Sequence, residues 1–173
     1  VGKIRDLEDL QLLCDLAVRS LDELIDFQNY PIRAAEIATK ARRSLGIGYI
    51  GLAHFLAKQG FNYSDKGAWD AVHKLTEAFQ YYLISATVDL AKEKGACEYS
   101  SRTKYGNGIL PIDTYKHDVD EIVPNELHYD WEDLRLRVKE HGVRNSTLSA
   151  QMPSESSSVV SNATNGIEPP RGY

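Results

Sequence analysis

The sequence predicts an α/β section that is mostly helical. Apolar residues recur at spacings of three and four over two long stretches, a short alternating run lies at 146–151, and a connection of about 30 residues rich in glycine, proline and polar groups lies between them.

The first stretch, 6–26, sets Leu7, Leu10, Cys14, Ala17, Leu21 and Leu24 along one helical face. Asp6 is placed to cap it, Glu8 and Asp9 suit the positive end of the helix dipole, and Pro31 blocks continuation and starts a second helix. Residues 42–51 mix apolar residues with Gly46, Gly48 and Gly51, which fits a tight turn into a packed helix through Leu52 and Phe55. Ala68, Val72, Leu75, Phe79, Tyr82, Ala86 and Leu90 mark a long helix over 65–94, closed by Gly95. The polar connection between Cys97 and Tyr129 leaves room for a short helix near Asp118. Asp130 caps a helix through Leu134 and Val138 to His141, Gly142 ends it, and the alternating run at 146–151 reads as a strand. Three sections follow: helical 1–95, loop-rich 96–142, and 143–173 with the strand and the segment after it.

Length and composition suit one globular domain: 173 residues, 42% hydrophobic and 26% charged. A net charge of -5 leaves no general basic field for a polyanion, so nucleic acid is not an expected partner and any nucleotide needs a local site. No apolar run approaches the roughly 20 residues that span a bilayer. The N-terminus also lacks the order of a signal peptide, so no membrane partner and a cytoplasmic address are expected. The two cysteines, Cys14 and Cys97, form no CxxC pair. Asn62, Asn145 and Asn162 sit in glycosylation triplets expected to be chance. A start at Val1 and a stop just after Glu-Pro-Pro-Arg-Gly suggest a fragment.

The sharpest chemical feature is Met152-Pro153-Ser154-Glu155-Ser156-Ser157-Ser158, between the strand and Val159-Val160. If Ser154 caps a helix there, unpaired amides, a positive dipole end and serine hydroxyls make a site for an anionic phosphate without any lysine or arginine. An ordinary capped helix or a solvated serine-rich linker is the plainer reading of the same residues. Gly46-x-Gly48-x-x-Gly51 fits a dinucleotide fingerprint in letters only, because no clear strand precedes it. The five histidines, His54, His73, His117, His128 and His141, show no metal-ligand spacing, and no metal is assigned. Both cysteines are expected to be structural, the Tyr81-Tyr82 pair to pack, and Asp113, Asp118, Asp120 and Glu121 to form a solvated face.

The runs at 42–48 and 106–115, and above all RNSTLSAQMPSESSSVVSNATNGIEPPRGY at 144–173, resemble the large, or alpha, subunit of class I ribonucleoside-diphosphate reductases of enterobacterial and phage type. The resemblance covers essentially the whole chain. It implies part of a ten-stranded α/β barrel, with 96–142 as an inserted small α+β region. It also implies an enzyme that reduces ribonucleoside diphosphates to deoxyribonucleotides by thiyl-radical chemistry. Neither Cys14 nor Cys97 matches the family's redox cysteines, so no catalytic residue is expected here and the fragment alone should be inactive. Pro153, Ser154, Glu155, Ser156 and Ser157 match the segment that binds substrate diphosphate, with threonine also occurring at the place of Ser156. Asn162, Asn165 and Glu168 match without an assigned contact.

The resemblance further implies that the parent needs a small subunit carrying a radical cofactor, thioredoxin or glutaredoxin as thiol reductant, nucleotide effectors including ATP, and the rest of the large subunit. No cofactor is expected on this section itself. An incomplete barrel should leave apolar faces uncovered. The competing expectations are a non-enzymatic helical interaction module with a serine-rich tail, and a related glycyl-radical enzyme.

Overall fold

The computed structural model describes residues 1–123 and 126–170. Its α-helices run in the order α1 (Leu7–Phe27), α2 (Arg33–Arg42), α3 (Leu52–Lys58), α4 (Lys66–Lys94), α5 (Pro111–Thr114), α6 (Trp131–His141) and α7 (Glu155–Ser161). Short 3-10 turns occupy Ser100–Arg102, Tyr105–Asn107 and His117–Glu121. No described helix is long and apolar enough to cross a membrane.

Asp6 caps α1 as expected, its carboxylate accepting the Asp9 N–H at 2.9 Å. The buried line is Leu10, Cys14, Val18, Asp22 and Ile25. Leu24, assigned to the inner face by spacing, is 51% exposed. The correction comes from the twist of a 3.6-residue helix, which carries the packed line from the Ala17/Leu24 row onto Val18 and Ile25. Helix α2 starts at Arg33, not at Pro31, because Ile32 is still extended with φ -132 and ψ 135.

Helix α4 is the centre of the packing. It runs from the Asp65 cap position to Gly95, which ends it at φ 86. It buries not one stripe but neighbouring pairs such as Leu83/Ile84 and Leu90/Ala91, because α1 and α6 both pack on it. Arg19 on α1 holds Glu93 through two 2.7 Å bonds, and Arg137 on α6 reaches Asp89 at 2.9 Å. Helix α6 is capped by Asp130, which accepts the Asp133 N–H at 2.9 Å, and Gly142 follows it at φ 71.

The strand expected at 146–151 is extended but does not become a named strand. It pairs with the segment after Arg43 through one parallel bridge, Ile47 to Ser149. The Ile47 N–H donates to Leu148 O at 2.8 Å, and the Ala150 N–H donates to Ile47 O at 3.1 Å. The backbone bonds between the two segments, which also include Leu45 N–H to Thr147 O at 2.9 Å and Ser146 N–H to Arg42 O at 3.0 Å, close only this one bridge among the described residues. The region 96–142 likewise holds helices and turns but no strand among its described residues, so the α+β character expected of it is not found.

A buried polar cluster joins these pieces. Asp22, fully buried on α1, accepts from Arg43 Nε at 2.6 Å, Asn145 Nδ2 at 3.0 Å and Arg144 Nε at 3.1 Å. Arg43 closes α2 in the left-handed conformation (φ 48), donates to the Asp22 carbonyl at 2.8 Å and grips both oxygens of Asp26 at 3.0 and 2.7 Å. Asn145 donates to the Arg43 carbonyl at 3.0 Å, while Thr87 of α4 donates its hydroxyl proton to Asn145 Oδ1 at 2.9 Å. Asn145 is therefore no glycosylation acceptor in the folded chain.

Burial raises the Asp22 pKa, but its bonds from Arg43 and Arg144 outweigh that and hold the carboxyl below its ordinary value. The Arg43 bond does the same for Asp26. Two outcomes are expected. Asp22→Ala leaves Arg43 with Asp26 as its one carboxylate partner, takes the shared acceptor from Arg144 and Asn145 as well, and lowers unfolding free energy by about 3 kcal/mol in urea denaturation. Because the native carboxyls titrate below their unfolded values, their contribution is present above the ordinary carboxylate pKa and fades as pH falls through it toward the native values. Asp22→Asn should flatten that acid limb of the stability profile; an unchanged limb would show that the cluster is not its source.

Candidate functional site

Residues 151–168 are held from three directions. Gly48 lies so close to the 150 carbonyl that an added Cβ would stand 2.3 Å from that oxygen. Gly51, at φ 80, donates its N–H to Thr164 O at 2.9 Å, and Tyr49 N–H reaches Gln151 Oε1 at 3.3 Å. Tyr63 donates to the carbonyls of Ile167 and Glu168, each at 3.1 Å. The glycines of the 46–51 run thus serve close packing of chain against chain, not a dinucleotide.

Within that frame α7 begins at Glu155, with Ser154 in the cap position. The hydroxyl of Ser154 does not cap the helix: it donates backwards to Met152 O at 3.0 Å. Its N–H donates to Asn165 Oδ1 at 3.0 Å, and its carbonyl accepts the first helical bond, from Ser158 at 2.8 Å. The amides of Glu155, Ser156 and Ser157 therefore open the helix with neither an intrahelical acceptor nor a side-chain cap. Ser156 and Ser157 are exposed, so their hydroxyls are available beside those amides. Ser154 and Ser158 are buried, and Ser158 returns its hydroxyl to Glu155 O at 2.8 Å. Pro153 is exposed and precedes the turn, and Glu155 points no ion pair into it among the described residues. The arrangement offers an anion three amides, the positive end of a short helix and two hydroxyls.

Sequence reasoning found this segment but missed what fixes it. Asn165, without an assigned contact, orients the cap residue, and Asn162 ends α7 in the left-handed conformation at φ 47. Glu168 contributes its carbonyl to Tyr63, not its carboxylate. The only linear signal was composition: two asparagines shortly after a serine run suit a helix end and a local side-chain acceptor. The last residues of the recognised run, 171–173, lie outside the described residues.

Both cysteines lie in the packed interior. Burial pushes the Cys14 thiol up to about 12 and raises Cys97 as well, so neither offers a thiolate near neutral pH. Tyr81 and Tyr82 pack as expected, Tyr81 stacking on Tyr129 at 4.7 Å and Tyr82 meeting the Tyr129 hydroxyl at 3.0 Å. In the acidic group, Asp113 is paired to Arg135 at 2.6 Å and accepts the Leu110 N–H at 2.7 Å.

A sequence model of the family described as ribonucleotide reductase, barrel domain, matches residues 2–173. The chain belongs to that family. It is 60% identical over its whole length to the ribonucleoside-diphosphate reductase subunit alpha of Haemophilus influenzae, of which it spans 23%. It is 60% identical over 86% of its length to the ribonucleoside-diphosphate reductase 1 subunit alpha of Escherichia coli, covering 20% of that protein. The subunit alpha of enterobacteria phage T4 is 49% identical over 97% of the chain, which spans 22% of it. The chain therefore covers about a fifth to a quarter of the length of these relatives.

Asn165→Ala should leave the buried Ser154 N–H without an acceptor, at a cost of about 1–3 kcal/mol in denaturant unfolding. Gly48→Ala should shift 150–157 and destabilise the chain by a similar amount, about 1–3 kcal/mol. Amide exchange at 155–158 that is unchanged in both variants would show that these residues do not fix the helix start.

Proposed function

We propose that this chain is the section of a ribonucleoside-diphosphate reductase large subunit that anchors the substrate diphosphate and contributes barrel scaffold. The observation that carries the reading is the start of α7, where three amides without intrahelical acceptors and the exposed Ser156 and Ser157 hydroxyls converge at a helix N-terminus. Pro153, Ser154, Glu155, Ser156 and Ser157 form the diphosphate segment, with Ser154 acting as a rigid corner set by Asn165. Backbone amides grip phosphate oxygens without reading a base, which suits an enzyme acting on several nucleotides. The reaction replaces the ribose 2′-hydroxyl by hydrogen, and this section's part in it is to hold the diphosphate still while the sugar reacts.

Radical and electron-supplying work falls to other parts of the subunit, since Cys14 and Cys97 are packed and protonated. The assembled enzyme on this reading needs the remainder of the large subunit, a radical-generating small subunit, thioredoxin or glutaredoxin, and nucleotide effectors. On this reading the segments around Ile47 and Ser149, joined here by one parallel bridge, would become neighbouring strands of a ten-stranded α/β barrel in the whole subunit, with 1–95 as its helical section, 96–142 as an insertion and 143–173 as strand plus site. Exposed Leu12, Leu13 and Leu16 on the outer side of α1, and Val159 and Val160 on α7, are faces that such a barrel would cover. The interaction-module alternative is disfavoured by the family match and by a serine segment that folds as an anchored helix.

In the full-length subunit assembled with its small subunit, replacing Ser156 and Ser157 together by alanine should raise KM for CDP about tenfold or more, the loss of one or two charge-assisted hydrogen bonds. Unchanged CDP affinity in a folded, active assembly would remove the phosphate assignment. No CDP turnover by the unmodified assembly would remove the enzyme assignment.

A further inference from the structure

The connection between α5 and α6 meets α4 at a second polar cluster, which shares no residue with the phosphate segment. His73 and Glu77 stand one helical turn apart on α4, and His128 arrives from the chain just before α6. One ligand atom from each lies within 4.8 Å of the other two, and among the described residues this is the one such trio of histidine, cysteine or carboxylate side chains. The spacing His-x-x-x-Glu puts two donors on one helix face, and the third comes from more than fifty positions away, so the sequence carries no linear signature of it.

The carboxylate is already oriented as a ligand needs to be. Glu77 Oε1 accepts from the His128 N–H at 2.8 Å, Trp131 Nε1 at 3.0 Å and the Tyr129 N–H at 3.3 Å. Those three donors saturate Oε1 and leave Oε2 with a single partner, His128 Nδ1 at 2.8 Å. Ligating carboxylates are held in this way by outer-shell donors, and Trp131 and the two amides supply that shell here. The His73 ring is tethered too, with Nε2 3.3 Å from the Glu126 carbonyl. Two of the three, His73 and Glu77, also line an open cavity of about 330 Å³ with Tyr115, His117, Leu127 and Trp131, which gives solvent access to that side of the cluster.

We propose that His73, Glu77 and His128 form a binding site for a borderline divalent transition-metal ion, with zinc as its best-fitting occupant and water in the fourth position. Two imidazoles and one carboxylate are a donor set that zinc accepts in tetrahedral geometry. Ligand atoms around such an ion stand about 3.3 Å apart for bonds of roughly 2.0–2.1 Å. The 2.8 Å pair opens slightly and the other separations, all within 4.8 Å, close by at most about 1.5 Å, within reach of a side-chain rotation of half-buried His73. Ligation at His128 Nδ1 requires the neutral imidazole with its proton on Nε2, so a proton held between Nδ1 and Glu77 Oε2 moves to Nε2 or is released to water as the ion binds. It would clip the loop-rich connection to the central helix.

The test uses the purified 173-residue chain, freed of metal by chelator and titrated with Co²⁺ and then Zn²⁺. The expected result is one equivalent of Co²⁺ giving the visible bands of a four-coordinate site, lost on adding one equivalent of Zn²⁺. His73→Gln and His128→Gln should each weaken binding about tenfold or more, while His54→Gln and His141→Gln leave it unchanged. Circular dichroism of each variant establishes that it is folded. In the unmodified chain, Co²⁺ should broaden the ring proton resonances of His73 and His128 before those of His54, a reading independent of any substitution. Absence of stoichiometric binding, equal binding by the His73 and His128 variants, or broadening that starts elsewhere would overturn the site.

Discussion

A single buried carboxylate, Asp22, determines how the chain's parts meet. It sits on α1 in a helix otherwise packed by Leu10, Cys14, Val18 and Ile25, and nothing in water-excluded surroundings can leave it unpaired. Its three partners come from two other places: Arg43 at the end of α2, and Arg144 and Asn145 after α6. Asn145 then passes the constraint to Thr87 in the middle of α4. Hydrophobic packing of α1 and α6 on α4 would tolerate sliding by a turn; three directional bonds at one carboxylate do not. The two extended segments after Arg43 and Asn145 leave this cluster side by side, which is why the Ile47–Ser149 bridge forms at all. The helix start at Glu155 is ten residues downstream of Asn145, so the proposed phosphate segment leaves from a point that this cluster fixes, and local bonds such as Ser154 N–H to Asn165 set the rest.

Legibility from sequence divides along the same line. Helices α1, α4 and α6 were readable because their ends carry local chemistry: Asp6 and Asp130 cap with their carboxylates, and Gly95 and Gly142 take conformations that suit glycine. Such signals involve neighbours within four residues and survive in a linear reading. The buried cluster involves separations of 21 to 123 residues, and nothing near Asp22 distinguishes it from the exposed acids around it. Periodicity even misleads slightly there, since an aspartate on the packed face breaks the apolar row and shifts attention to Leu21 and Leu24. The strand at 146–151 was read from alternation, yet its pairing is only partial, because alternation reports a two-sided environment that this stretch of chain does not by itself supply.

The proposed phosphate segment is legible in kind and not in detail. Serines before a short apolar run announce a helix start, and that start exists. The expectation that Ser154 would offer its hydroxyl fails for a local reason: the hydroxyl turns back to the Met152 carbonyl, and the amide is taken by Asn165. What remains for a ligand is therefore mainly backbone. Asn165 could not be singled out from sequence, since its partner lies eleven residues back across a helix and a left-handed turn.

That reliance on backbone has a consequence for charge. The chain is acidic, and Glu155 stands in the first turn of α7, so a diphosphate approaching it meets a carboxylate as well as a helix N-terminus. A lysine or arginine clamp would relieve the repulsion, but at the cost of a flexible side chain that must be ordered on binding. Amides fixed by the Asn165 bond, the Gly48 contact and the Tyr63 hydroxyl are ordered before the ligand arrives. Preorganised dipoles lose little on binding, and they hold a phosphate in one orientation instead of merely attracting it. On the proposed reading, in which the chemistry happens on the sugar, orientation of the diphosphate is the more useful property, and the rigidity that would deliver it comes from Asn165, Gly48 and Tyr63.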